Sequence, residues 1–137
     1  MTDPDLVKKK LAAIHTYVHD LRSLATDVDL AMDVLRGRGV LHTLQMAIQA
    51  CLDIASHIVS DDHLGEPRTN RDLFLILARS GWIDAALADS LRRMAGFRNV
   101  LVHGYDTVDL GRVRRLLEDH VGDLLAYAAA IQTRLAP

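Results

Sequence analysis

The stretch LQMAIQACLDIASHIVS, residues 44–60, sets the fold class. Leu44, Ile48, Cys51, Ala55 and Ile58 recur at helical spacing on one stripe, while Gln45, Gln49 and Asp53 line up four residues apart beside it. A strand would alternate apolar and polar residues, and this segment does not. A helix that is apolar along one side must bury that side against neighbours, so the segment calls for partner helices.

Working outward, the chain supplies them. Before it, Asp3 and Pro4 form an N-cap and first-turn pair, followed by Val7, Leu11, Ile14, Val18, Leu21 and Ala25 at helical spacing. The weaker stretch TDVDLAMDVLR then runs into Gly37 and Gly39, where a break is expected, with the second long helix starting near Leu41. After Ser60, SDDHLGEPRTN has loop composition, and Thr69 with Asp72 predicts a capping box for a short helix through Arg79, closed by Gly81. Asp84 is placed to cap a helix of about twenty residues reaching His103, with Gly104 at its C-terminal cap. Asp109 opens a last helix whose stripe is Val113, Leu116, Leu117, Val121, Leu124, Ala128, Ile131 and Leu135. The expectation is an all-α, antiparallel bundle of four long helices with additional short ones, in a single domain spanning residues 1–137.

Composition narrows the function. One cysteine, Cys51, excludes an intramolecular disulfide and any CxxC-type metal knuckle, which suits a reducing compartment, so a soluble, cytoplasmic protein is expected. The amino-terminal MTDPDLVKKKL has neither the charge order nor the apolar run of a signal or anchor, so no membrane association is expected. A net charge of −2 argues against bulk electrostatic binding of nucleic acid, and three Tyr, two Phe and one Trp are too few for a base-stacking platform. Any RNA contact must be local, through arginines such as Arg92, Arg93, Arg98, Arg112, Arg114 and Arg115.

The chemistry concentrates in MAGFRNVLVHGYD, residues 94–106. Leu87, Leu91 and Met94 share a face on which Arg98 also falls, followed by Leu101 and Val102, so a guanidinium stands in an apolar stripe. His103 lies about 140° around the helix from Arg98, whereas Asn99 is four residues before it and on its side. Arginine binds phosphate oxygens in a bidentate manner and stays charged, and histidine gives or takes a proton near neutral pH. Together they are what RNA cleavage without a metal requires. The spacing alone leaves a bland alternative open, in which Arg98 forms an ion pair with Asp53 and His103 sits favourably in the dipole of a helix C-terminus.

The run FRNVLVHGYD resembles the Arg-x4-His-x-Tyr signature of HepT toxins, in the HEPN superfamily of helical ribonucleases. The resemblance extends from about Leu11 to Arg134, through CLDIASHIVSD, LGEPRTNRDLF, LARSGWID and RRMAGFRNVLVHGY in order. It implies a metal-independent endoribonuclease that works as a homodimer and needs no cofactor. Arg98 and His103 would be catalytic, Asn99 and Asp53 supporting, and Tyr105 the target of AMP addition by a minimal nucleotidyltransferase antitoxin of the MntA type. A rival of another class is a non-catalytic helical module that binds a nucleotidyltransferase and helps present its substrate.

Other candidates are weaker. His15 and His19 stand four apart, but no carboxylate or cysteine is fixed beside them by sequence, so no metal site is expected. His42, His57, His63 and His120 carry no readable pattern, and Cys51 reads as a small core residue.

Overall fold

The computed structural model describes residues 2–26, 29–30, 32–103 and 108–136, with His103 described at the backbone only. Among these residues the chain forms six helices and no strand: α1 (Pro4–Ala25), α2 (Val34–Asp61), α3 (Asp72–Arg79), α4 (Ala85–His103), α5 (Leu110–Asp119) and α6 (Val121–Leu135). Aspartates start four of them. Asp3, Asp33, Asp84 and Asp109 each accept a hydrogen bond from a first-turn backbone N–H, at 2.7 Å from Leu87 in the case of Asp84. Each such cap is worth about 1 kcal/mol. At α3 the acidic half of the expected box forms, because the Asp72 carboxylate accepts from the N–H groups of Arg68 and Thr69.

The central helix is α2, packed against α1, α3, α4 and α6. Its stripe residues Leu44, Ile48, Cys51, Ala55 and Ile58 are all buried, as are Val7, Leu11, Ile14, Val18 and Leu21 of α1. The Tyr127 hydroxyl, fully buried on α6, donates to the Cys51 carbonyl at 2.9 Å, and the ring meets Phe74 edge-on at 5.8 Å. Burial pushes the Cys51 thiol far above its ordinary range, so it stays protonated and inert. The helix ends are tied across the bundle. Thr2 donates to Asp62 at 2.9 Å, and Arg114 Nη1 donates to the Ala25 carbonyl at 2.8 Å.

Two expectations change. The glycines do not break the second helix: it begins at Val34, and Gly37 and Gly39 lie within its first turns. At Gly37 an added Cβ would stand 2.7 Å from the Leu30 carbonyl oxygen, so the glycine lets the incoming chain cross close to the helix. At Gly39 the nearest atom is the end of the Leu24 side chain, at an ordinary 3.7 Å. Opposite effects are therefore expected in a denaturant titration. Gly37→Ala should lose about 1–3 kcal/mol to the backbone clash, whereas Gly39→Ala should gain up to about 1 kcal/mol of helix propensity.

The last helix is also two. Its apolar stripe continues from Val113 to Ile131, but His120 leaves helical geometry at φ −127° and ψ −8° and separates α5 from α6. Asp123, in the first turn of α6, accepts from Ser90 of α4 and lies 3.2 Å from His120 Nδ1, fixing the corner. The bend lets α5 reach two neighbours at once. Arg112 stacks on Phe97 of α4 at 4.7 Å, while Arg114 meets the end of α1.

Candidate active site at the end of helix α4

Helix α4 carries the motif as its last turns. Leu91, Met94, Ala95 and Leu101 are buried, Leu87 is half-buried, and Arg98 falls among them as the spacing requires. Val102, expected on the same stripe, is 47% exposed, and Val100 is 40% exposed, while Leu101 between them reaches the core. Asn99 is exposed.

Arg98 is half-buried, and its Nε is buried with no hydrogen-bond partner among the described residues. Leaving such a donor unmade costs about 1–3 kcal/mol, so an anion that approached it would recover that loss. The bland alternative placed Asp53 against Arg98, and the structure does not. The Asp53 carboxylate takes Lys10 Nζ at 3.2 Å across the α1–α2 contact and Gln49 Nε2 at 2.7 Å along its own helix. Asp53 faces α1, and among the described residues it makes no contact with Arg98. Because Lys10 and Asp53 are 43% and 39% exposed, Asp53→Asn should cost at most about 1 kcal/mol. RNA cleavage should be unchanged in that variant, as a rate assay beside a melting curve would show.

Of the motif's remaining positions, His103 closes α4, and only its place on the helix is described. Gly104 and Tyr105 lie outside the described residues. In helical register His103 shares the side of Asn99 and stands about 140° from Arg98.

The arginines expected to hold RNA are mostly engaged elsewhere. Arg93 and Arg92 both pair with Asp89, at 3.1 Å and 3.8 Å, while Arg112 covers Phe97 and Arg114 bridges to α1. A groove of about 790 Å³ runs between α4 and the α5–α6 corner, but Arg98 and Asn99 do not line it. Arg93, Arg112 and Arg115 there are offset by Asp84, Asp89, Asp119 and Asp123, so it has no clear preference for an anion. His15 and His19 are exposed on α1. Among the described residues no helix is long and apolar enough to cross a membrane.

The helical bundle that carries this motif matches a known family over most of the chain. Residues 14–131 match the HepT-like ribonucleases. The chain belongs to that family. A relative from Shewanella oneidensis, an mRNA nuclease HepT, is 31% identical over 129 residues, covering 93% of this chain and 97% of the relative. A tRNA nuclease HepT from Aphanizomenon flos-aquae is 28% identical over 113 residues, covering 81% and 77%. Among solved structures, a toxin–antitoxin with AMP-PNP superposes with a TM-score of 0.90 at 30% identity, covering 94% of this chain and 98% of that one. The tri-AMPylated HEPN toxin of Shewanella oneidensis, in complex with its MNT antitoxin, gives 0.89 at 30% identity, covering 96% and 99%. The all-α bundle of this HepT-like chain is thus the HEPN toxin fold.

Proposed function

We propose that the chain is a metal-independent endoribonuclease toxin, silenced by a nucleotidyltransferase antitoxin that adds AMP to Tyr105. The observation that carries this is the Arg98 Nε, buried and without a hydrogen-bond partner among the described residues, on the helix whose end bears His103. Its relatives' names as mRNA and tRNA nucleases, and the toxin–antitoxin complexes of its structural neighbours, support the same reading.

In the proposed reaction a neutral His103 takes the proton of a ribose 2′-hydroxyl. The 2′-oxygen attacks the adjacent phosphorus, and Arg98 holds the phosphorane oxygens as negative charge develops. The bond to the 5′-oxygen breaks, that oxygen gains a proton, and a 2′,3′-cyclic phosphate remains. One imidazole cannot serve as base and acid at once, so a homodimer with two His103 side chains across a two-fold axis divides the roles. Val100 and Val102, apolar yet exposed on the turn that carries the motif, suit such an interface. Asn99, four residues before His103, is placed to orient its ring.

Inhibition follows from electrostatics. The Tyr105 hydroxyl gives up its proton to solvent as its oxygen bonds to the α-phosphorus of ATP held by the antitoxin, the bond to pyrophosphate breaks, and the attached AMP brings bulk and negative charge to the helix end. It would then compete with RNA phosphate for Arg98. The test is cleavage of RNA by protein whose Tyr105 is unmodified. Activity with a defined set of cut sites is expected, and a tightly bound antitoxin without any cleavage would instead point to a non-catalytic module.

A further inference from the structure

Resting on the ribonuclease activity just proposed, we infer that Arg71 is a second phosphate-binding residue, holding the RNA strand on the His103 side of α4. Arg71 precedes α3, far from the motif in sequence, yet its side chain lies along α4 at Gly96. A Cβ added there would stand 3.6 Å from Arg71 Nη1 and 3.8 Å from Cδ. The absent side chain leaves room for the arginine to lie against the helix.

The register decides which side this is. Gly96, Asn99, Val100 and His103 fall within about 100° of one another around α4, whereas Arg98 points roughly the other way from Gly96. Arg98 alone therefore leaves the His103 side without a cation. Arg71 provides one, on the side that a strand presenting its 2′-hydroxyl to His103 must pass. Gly96 is seven residues before His103, about 10 Å along the axis. At that distance Arg71 meets a phosphate away from the scissile one, so its role is to hold substrate and not to stabilise the reacting group.

Its charge is available. Arg71 is exposed and makes no ion pair among the described residues. The neighbouring Asp72 carboxylate is occupied by the backbone N–H groups of Arg68 and Thr69. Further back on the same helix, Asp89 already meets Arg92 and Arg93. Among the described residues Arg71 is thus a cation over this face with no carboxylate partner.

The experiment is equilibrium binding of a fluorescein-labelled single-stranded oligouridylate to His103→Ala protein, which leaves the RNA intact, across a series of salt concentrations. Removing one phosphate contact from a single strand should make the slope of log K against log salt shallower by about 0.7. Arg71→Gln is expected to show that change together with weaker binding, and Arg71→Lys to keep most of the parent slope. A merely structural Arg71 would shift the melting temperature and leave the slope alone. An unchanged slope in Arg71→Gln, or no RNA binding by the parent protein, overturns the assignment. Cleavage by the wild-type chain is read separately, so a binding-competent but inactive protein would count against the proposed activity and not against Arg71.

Discussion

Replacing Arg98 by methionine is expected to abolish most RNA cleavage while leaving the fold as stable as before, or more so. The two effects have separate causes. Loss of a cation aimed at developing negative charge typically costs about 100- to 1,000-fold in rate. The Arg98 Nε, however, is buried without a partner among the described residues, so a neutral side chain of similar length removes an unmet donor worth about 1–3 kcal/mol. Stability and activity would then move in opposite directions, as they do where a site is kept poised at the fold's expense. A structural Arg98 gives the contrary pattern, with a lower denaturation midpoint and a rate reduced only in proportion to unfolded protein. Measuring kcat and the urea midpoint on the same preparation distinguishes them.

The second large effect concerns control. Tyr105→Phe is expected to cleave RNA at close to the wild-type rate, because the phenolic oxygen has no part in the proposed transesterification. Incubated with the antitoxin and ATP, the wild-type chain should lose activity and gain mass in steps of one AMP unit. The Phe variant should do neither, since it lacks the oxygen that attacks the α-phosphorus. If it were silenced equally without a mass change, inhibition would come from binding alone. Modification of the Phe variant at another residue would remove Tyr105 as the control point.

How much of this was legible in the sequence depended on whether the deciding contact was local. Helix α4 was readable almost to its ends, because Asp84 caps it and its buried residues recur at helical spacing up to Leu101. The unusual position of Arg98 was readable for the same reason. The start of α2 was not, because Gly37 serves there to clear the Leu30 carbonyl crossing above it, and pattern alone treats a glycine pair as punctuation. The corner at His120 was hidden because the apolar stripe passes through it unbroken, while the contacts that fix it come from Ser90 on another helix. Asp53 had the right chemistry for Arg98 but faces Lys10 of α1, a choice set by how the helices pack. Arg71 left no sequence signal beyond Gly96, whose lack of a side chain in mid-helix invites a search for what lies against it.

Whether Arg98 and His103 cleave RNA without a metal ion is decided by a single assay. Unmodified protein is incubated with RNA in EDTA beside His103→Ala, and the product ends are identified. Cleavage is expected to persist in EDTA, to leave 2′,3′-cyclic phosphate ends and to fall by about 100- to 10,000-fold in the variant, the range for losing a positioned acid–base group. Cleavage that EDTA abolishes, or that His103→Ala retains in full, would contradict this mechanism.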